Sequence, residues 1–332
     1  MKILFIGGTG VISSASSRLA IERGMELFHL NRGQTGKIRK MDGAHHLQAD
    51  VRDPKAVEKV LRGHWFDVVV NWVAFKPEHI LQDIKLFSGS VQQYVFISSA
   101  SAYQTPPDLL PVTEKTILNN PFWAYSREKM ACEKVLENEF KKNGFPYTIV
   151  RPSHTYDKTL VPMVGGLTSF LRMAEGLPVL VHGEGTSIWT LTHANDFALG
   201  LVGLLGKVES IGEAYHITSN ELLTWNIIYK VMAEALGVKA RLVHVPSKFI
   251  AQYDPDLSGS LLGDKTHSMI FDNSKIKRLV PDFNPGIEFR QGAKEIVAHY
   301  SGLSEIRPDE RWNKLIENII FDYEEKIGKD PN

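Results

Sequence analysis

Tyr125 and Lys129 lie four residues apart within the stretch FWAYSREKM, whose composition predicts a helix. At 3.6 residues per turn, this spacing puts a phenol and an ammonium on one helix face. A nearby ammonium favours the phenolate, so we expect it to lower the tyrosine pKa from an ordinary value near ~10 toward neutrality. Such a phenol could act as a general base toward an alcohol. Tyr–Lys pairs are also common on exposed helices, and the pair alone does not decide between the two interpretations.

Three serines follow the predicted strand that precedes this helix. The apolar run from Tyr94 to Ile97 ends in Ser98, Ser99 and Ser101. Hydroxyl groups therefore stand at the carboxyl end of a strand, before the tyrosine and lysine in the chain.

A glycine-rich turn opens the chain. The apolar run Ile3 to Ile6 meets GGTG, and apolar residues then recur at helical spacing up to Gly24. Glycines between a strand and a helix let the backbone approach a pyrophosphate, and the helix N-terminus offers unpaired amides. Ser13 stands where the dinucleotide-binding fingerprint has its third glycine, so the fingerprint is incomplete. The context still predicts nucleotide binding.

The ends of the next strands carry further candidates for cofactor contacts. The second strand, Glu26 to Leu30, runs into Asn31 and Arg32, where an arginine could pair with the 2′-phosphate of NADP, stack on adenine, or simply lie on the surface. After the third strand, Asp50 would lie near adenine or cap a turn. The buried run of the fourth strand ends at Ala74, which would lie near the nicotinamide-side ribose.

Strands alternate with helices as far as Pro152, which predicts an α/β fold with a doubly wound parallel sheet. The ligand crevice of such a sheet lies at the carboxyl ends of its strands, where all of these candidates fall. We predict that residues 1–160 and about 186–216 form this Rossmann-like domain. Residues of about 161–185 and 217–332 should form a smaller, irregular α/β lobe that binds substrate, finished by helices after 285. His193 and Asp196 have no third partner at metal-ligand spacing, so cap and packing roles are predicted for them.

Composition narrows the class of protein. The chain has 332 residues and balances 38 basic with 38 acidic side chains, which argues against a broad nucleic-acid or membrane surface. No apolar run approaches the ~20 residues of a membrane span, and the first apolar run is too short for a signal peptide. The only cysteine, Cys132, excludes an internal disulfide and is predicted to be a packing residue. We expect a cytoplasmic protein without a bound metal.

The ordered set of motifs resembles the extended short-chain dehydrogenase/reductase family, which includes the nucleotide-sugar epimerases and dehydratases. The resemblance covers about residues 1–290 and rests on GGTGVIS, ADVRD, ISSASAY, YSREK, IVRPSHTYD, HGEGTSIWTLTHANDFA, YHITSNELLTW and FDNSKIKRLVPDFNP.

The resemblance implies a role for each residue of a triad. Tyr125 matches the family's catalytic base, Lys129 its ribose-binding lysine, and Ser99 the hydroxyl that hydrogen-bonds the reacting oxygen. It also implies that a hydride passes from a substrate carbon to NAD or NADP, which gives a ketone. Arg32 slightly favours NADP over NAD as the cofactor. Family members commonly pair through the Tyr-bearing helix, so a homodimer is expected.

Two sets of binding residues are predicted from the strand ends and the resemblance together. Ser101, His154 and Trp189 are the candidate substrate contacts, although His154 could equally stabilise its loop. The candidate cofactor contacts are Gly7, Thr9, Gly10, Val11, Ile12, Asn31, Arg32, Asp50, Val51, Val73, Ala74, Tyr125, Lys129 and Pro152.

Two departures from the family pattern restrict the chemistry. Dehydratases of the family carry an Asp-Glu pair where this chain has Ala100-Ser101, so elimination chemistry is not expected. The sugar-nucleotide enzymes usually have an arginine shortly before the HxxD segment, and this chain has none there. A UDP-type substrate is therefore in doubt unless Arg172 or Arg241 supplies the contact.

Three hypotheses remain open. The first is an epimerase or oxidoreductase acting on a sugar or nucleotide sugar, and the second is a reductase of another small molecule. The third is a non-redox RNA-binding relative of the family, which would need a basic face that the balanced charge does not indicate.

Overall fold

A computed structural model describes residues 1–33 and 41–327 of the chain. Thirteen strands are found in this part: β1 Lys2–Ile6, β2 Glu26–Asn31, β3 His45–Gln48, β4 Val68–Asn71, β5 Gln93–Ile97, β6 Tyr147–Pro152, β7 His154–Tyr156, β8 Pro178–His182, β9 Ile188–Trp189, β10 Leu191–His193, β11 Glu213–Ile217, β12 Leu223–Thr224 and β13 Arg241–Val245.

Helices connect and cover these strands. Their bounds are α1 Val11–Glu22, α2 Pro54–Leu61, α3 Pro77–Phe87, α4 Ala124–Asn143, α5 Leu167–Ala174, α6 Ala194–Leu204, α7 Trp225–Leu236, α8 Ser247–Ile250, α9 Pro255–Ser260, α10 Ser274–Leu279, α11 Phe289–Ser301 and α12 Glu310–Ile327. None of those within the described residues is long and apolar enough to cross a membrane.

The central sheet has seven parallel strands in the order β11-β6-β5-β4-β1-β2-β3. The order reverses between β1 and β4, which is where an open α/β sheet forms its ligand crevice. The predicted α/β fold with a doubly wound parallel sheet is confirmed.

Alternating side chains of the strands build a core on each face of the sheet. Leu4 and Ile6 pack with Ile80 of α3 and Leu136 of α4. Ile3 and its face neighbours pack instead with side chains of α6 and α10. Cys132 is buried in the first of these cores, as predicted. The apolar strands are thus covered on both faces, as parallel sheets require.

The second half of the chain adds small sheets beside the main one. β8 pairs with β13 in parallel, and β9 pairs with β12 antiparallel. Around them, Trp225, Tyr229 and Phe170 lie in a separate apolar core. Helix α7 is defined by its ends, because the Thr224 hydroxyl caps its start and Gly237 adopts a φ of +70° after its last turn.

His193 and Asp196 have the structural roles predicted for them. His193 Nδ1 accepts the Asn195 amide at the start of α6, and Asp196 Oδ2 accepts the amide of Ile287 at 2.9 Å. Within residues 1–33 and 41–327, no group of three or more His, Cys, Asp or Glu side chains could hold a metal.

β4 is shorter than the predicted strand, which was expected to continue to Ala74. The Asn71 side chain ends it, because Asn71 Oδ1 accepts the amides of Val73 and Ala74, both at 2.8 Å. Asn71 Nδ2 donates to Oδ2 of Asp83 on α3, and Tyr94 of β5 donates its hydroxyl to the same oxygen at 2.6 Å. This buried network fixes the loop that follows β4.

The carboxyl group in this network is shielded from water. Burial raises the pKa of Asp83 from 3.8 to about 6, although the hydrogen bonds from Tyr94 and Asn71 and the charge of Arg52 act in the opposite direction. A carboxyl group whose pKa is raised in the folded state loses stabilising free energy as the pH rises from its unfolded toward its folded pKa.

Asp83→Asn should therefore remove a pH-dependent loss of stability. Since both donors converge on Oδ2, an asparagine can keep one oxygen in that position. The free energy of unfolding of the wild type should fall relative to that of the variant between about pH 4 and pH 6, as measured by urea denaturation. Asp256→Asn, which changes an exposed carboxylate, is the control. Parallel pH profiles for the wild type and Asp83→Asn would contradict this account.

Candidate functional site

Lys129 joins helix α4 to the carboxyl ends of two neighbouring strands. Its side chain is buried, and Nζ donates to the carbonyl of Ala74 after β4 at 2.7 Å and to that of Ile97 in β5 at 2.8 Å. Burial lowers the pKa of Lys129 to about 8. An ammonium has three N–H donors, so one remains beyond the two carbonyl bonds.

Tyr125 lies one turn earlier on α4, as the spacing predicts, and the Lys129 ammonium is 5.7 Å from its ring centroid. The predicted lowering of its pKa is wrong for this structure. Burial raises the pKa of Tyr125 to about 12; a hydrogen bond with Ser99 opposes the shift, and the charge of Asp264 adds to it. The Lys129 ammonium is not among the causes of this shift; its Nζ donates to the two strand carbonyls.

A chain of serine hydroxyls leads to the tyrosine. Ser126 donates to Ser101 Oγ at 2.8 Å, Ser101 and Ser99 share a hydrogen bond of 2.8 Å, and Ser99 hydrogen-bonds Tyr125. If Ser101 donates to Ser99, the Ser99 proton is left for the tyrosine oxygen or for a reacting oxygen beside it. Sequence reasoning missed Ser126, since a buried helix serine carries no distinguishing pattern.

The glycine turn after β1 leaves space beside the N-terminus of α1. Gly7 and Gly8 have φ values of +106° and +98°, and a Cβ on Gly8 would lie 2.7 Å from the His29 ring. Ser13, found in place of a third glycine, accepts the Gly10 amide at 2.7 Å and caps the helix. A turn without side chains at a helix N-terminus fits the pyrophosphate of a dinucleotide.

A cleft of about 320 Å³ runs from this turn to Tyr125 and Lys129. Eight of the residues predicted to contact a cofactor line it: Gly7, Thr9, Gly10, Ile12, Val73, Tyr125, Lys129 and Pro152. Trp72, Phe75 and Ser153 line it as well and were not predicted.

The other predicted cofactor residues lie outside the lining of this cleft. Ala74 is buried, and its carbonyl accepts a hydrogen bond from Lys129, which does line the cleft. Val11 is the first residue of α1 and does not line the cleft. Asn31 Oδ1 accepts the Gly33 amide in the turn after β2.

Arg32, Asp50 and Val51 lie beyond Asn31, at the carboxyl ends of β2 and β3. The Arg32 side chain is exposed. Asp50 accepts the Arg52 amide at 2.9 Å, which is the turn role left open for it, and the Val51 carbonyl accepts from Gln82 at 2.6 Å. These residues share the strand edge with the cleft, and a contact between them and a cofactor stays a prediction.

A second cavity, of about 280 Å³, meets the cleft at the tyrosine. The residues that line both spaces are Ser99, Tyr125, Pro152 and Ser153. The three predicted substrate contacts, Ser101, His154 and Trp189, all line the second cavity. Six further lining residues were not predicted: Trp123, Thr190, Asp264, Lys265, Met269 and Phe271.

His154 and Trp189 each present a buried nitrogen without a hydrogen-bond partner, Nε2 and Nε1 respectively. Burial, together with the charge of Lys265, lowers the pKa of His154 to about 3, so its imidazole is neutral at pH 7. Unpartnered buried polar atoms beside a cavity indicate groups able to bind a ligand there.

The two arginines considered for a phosphate contact are used or placed elsewhere. Arg172 is buried and donates to the Pro178 carbonyl and to Glu317 of α12, both at 3.0 Å. Arg241 is exposed at the start of β13. Neither of them lines the cleft or the second cavity.

This geometry can support proton transfer to and from an alcohol. Tyr125 and Ser99 lie where the cleft and a polar, aromatic-walled cavity meet, so one reacting oxygen could contact both hydroxyl groups.

Known proteins share this fold and sequence pattern. The chain is 26% identical over 266 residues to chloroplast stem-loop binding protein of 41 kDa b from Arabidopsis thaliana, over 76% of this chain and 66% of that protein. It is 32% identical over 168 residues to a UDP-glucose 4-epimerase from Lactobacillus helveticus, over 46% of this chain and 51% of the epimerase. The matched regions thus span about two-thirds and half of these relatives.

Solved structures confirm the fold. The UDP-glucuronic acid 4-epimerase of Bacillus cereus, in complex with UDP-glucuronic acid and NAD, superposes with a TM-score of 0.74 at 18% identity, over 91% of this chain and 99% of that one. The sequence model of one family matches residues 3–88 and 78–218. The chain therefore belongs to the NAD dependent epimerase/dehydratase family.

Proposed function

We propose that this chain is an NAD(P)-dependent oxidoreductase or epimerase that acts on a hydroxyl group of a sugar or nucleotide sugar. The observation that supports it most strongly is the position of Ser99 and Tyr125 at the junction of the cleft and the second cavity, with Lys129 lining the cleft beside them. Its relatives and structural neighbours include proteins named as nucleotide-sugar epimerases and dehydratases.

Each residue of the triad has a distinct proposed role. Tyr125 removes the proton from the substrate hydroxyl, and Ser99 donates a hydrogen bond to the same oxygen, which carries the developing charge. Lys129 keeps its two carbonyl bonds and directs its third N–H donor into the cleft, where a ribose hydroxyl could accept it. When bound, the nicotinamide supplies a hydride acceptor and donor.

The fate of the ketone product separates the two activities. An epimerase reduces it again with the opposite configuration, and Tyr125 then returns the proton; a dehydrogenase releases it. A dehydratase is disfavoured, because Ala100 and Ser101 offer no carboxyl group for elimination. Binding of RNA is favoured only by the name of one relative, and the balanced charge does not support it.

Proposals on the organisation of the chain follow from the same site. The sheet of residues 1–160 and about 186–216 would bind the cofactor, and the remainder would select the substrate. Helices α3 and α4 pack side by side, and Leu81 on α3 is exposed, so a homodimer through these helices is proposed.

Tyr125→Phe tests the proposed base. The variant should bind NADH like the wild type, followed by fluorescence, because the phenyl ring remains. Oxidation of glucose, galactose or their UDP conjugates, followed by NADH absorbance, or their epimerisation, followed by separation of the epimers, should fall by at least about 100-fold, since general-base catalysis contributes ~10²–10⁴. Tyr253→Phe, which removes a hydroxyl bonded to Asp322, is the control. Turnover that survives in Tyr125→Phe, or a wild type that binds neither NADH nor NADPH, would contradict the proposal.

Arg32→Gln tests the cofactor preference. If Arg32 pairs with a 2′-phosphate, the affinity for NADPH should fall about tenfold or more, because a hydrogen bond to a charged group contributes ~1.5–3 kcal/mol. The affinity for NADH should stay unchanged in the same titration. Arg18→Gln, at another exposed arginine, is the control. Equal NADPH affinities for Arg32→Gln and the wild type would rule out this contact and favour NAD, with which the structural neighbours were solved.

A further inference from the structure

Asp264 and Lys265 project charges into the second cavity from a π-helical turn, Leu261–Lys265. Turns of this kind are rare and often occur at functional sites. The segment follows α9 and carries no periodic pattern that would have singled it out. Lys265 also lines a neighbouring cavity of about 650 Å³, so its side chain lies where the two cavities approach each other.

Hydrogen bonds from neighbouring elements fix the end of this turn. The Lys265 carbonyl accepts three hydrogen bonds: from His182 Nε2 at 3.2 Å, from Ser187 Oγ at 3.1 Å and from Trp225 Nε1 at 3.1 Å. Three donors from separate elements on one carbonyl leave the end of the turn little freedom.

The turn is also linked by hydrogen bonds to the loop that follows β5 and carries Ser99 and Ser101. Asn120 Nδ2 donates to the Gly263 carbonyl at 2.5 Å and to the Ser101 carbonyl at 2.7 Å. Trp123 fills the space over Gly263, where a Cβ would lie 2.8 Å from the tryptophan Cβ. Asp264 is therefore held at a set distance from the serines and Tyr125, as a preorganised contact requires.

The Asp264 carboxylate is largely shielded from solvent and can accept more hydrogen bonds than the one described here. Its side chain is 15% exposed, and Oδ2 lies 3.2 Å from Lys265 Nζ. Asp264 and Tyr125 line the same cavity, and the charge of Asp264 raises the pKa of Tyr125. A carboxylate can accept about four hydrogen bonds, and among the described residues Lys265 is the side chain found bonded to it.

The facing walls complete a set of contacts suited to one class of molecule. Trp189 Nε1 is an unpartnered donor, and Trp123 and Phe271 offer aromatic faces. A ring with hydroxyl groups at its edge and C–H groups on its faces can use the carboxylate, the donor and the aromatic surfaces together.

We propose that Asp264, held by Lys265, accepts a hydrogen bond from a substrate hydroxyl other than the one that is oxidised, and so selects a polyhydroxylated ring. This rests on the proposed function, since it assumes that the reacting alcohol lies against Tyr125. A site built to bond a hydroxyl leaves a buried polar group unpaired when the hydroxyl is missing, and so rejects the analogue strongly.

The test compares binding of parent sugars and of analogues that each lack one hydroxyl. Glucose, galactose and their UDP conjugates, with singly deoxygenated analogues of each, are titrated calorimetrically into protein saturated with NADH, so that binding is measured without oxidation. In the wild type, one deoxygenated analogue should bind about tenfold or more weakly than its parent. In Asp264→Asn, the affinity for the parent sugar should fall by a comparable factor. The variant should then bind the parent sugar and this deoxygenated analogue with similar affinity.

Two further variants test whether the discrimination depends on the Asp264 carboxylate and its partner Lys265. Lys265→Gln should weaken the same discrimination, because the carboxylate loses its counter-charge, while Asp256→Asn, at an exposed carboxylate nearby, should change nothing. Unchanged NADH affinity and unfolding temperature show that each variant is folded.

The proposal on Asp264 is overturned if every analogue is discriminated equally by Asp264→Asn and the wild type, or if no sugar binds to a wild type that does bind NADH. A wild type that binds neither NADH nor NADPH would instead overturn the proposed function itself.

Discussion

The buried ammonium of Lys129 is the interaction on which the site depends. A charge without water must be hydrogen-bonded, and here two backbone carbonyls at the ends of adjacent parallel strands supply the bonds. They can do so because β4 and β5 end at the same edge of the sheet. The Asn71 side chain then fixes the loop that carries the Ala74 carbonyl. Helix α4 is thereby fastened to the sheet at one point, and Tyr125, one turn earlier, is placed at the edge of the crevice.

Tyr125, placed in this way, has the cleft on one side and the second cavity on the other. On one side, the glycine turn leaves space for a cleft beside the start of α1. On the other side, the serine chain and the π-helical turn bring hydroxyl, carboxylate and aromatic groups around a smaller cavity. Epimerization and oxidation would use the same proton transfer at Tyr125, so the choice of substrate falls to the second lobe.

Local patterns in the sequence predicted the parallel sheet and eight of the residues that line the cleft. They succeeded because a buried strand, a glycine turn and a helix repeat are each short-range signals. The Asp264–Lys265 pair could not be found this way. Its position depends on contacts such as Asn120 with Gly263, which are 143 residues apart in the chain. Arg172 was a candidate for a phosphate contact only because nothing local showed that α12 would pair with it.

The pKa of Tyr125 was predicted in the wrong direction for a related reason. Spacing on a helix places the ammonium near the phenol, but burial of the phenol depends on the whole fold. In the proposed function, this phenol would become a base once the cleft is occupied, because the positive charge of an oxidised nicotinamide favours the phenolate. Titration of Tyr125 by NMR, with ¹³C at the tyrosine Cζ, tests this directly. The account predicts a pKa near 12 in the protein alone and a marked fall in the presence of saturating NAD⁺ or NADP⁺. A pKa unchanged by either bound cofactor would contradict it.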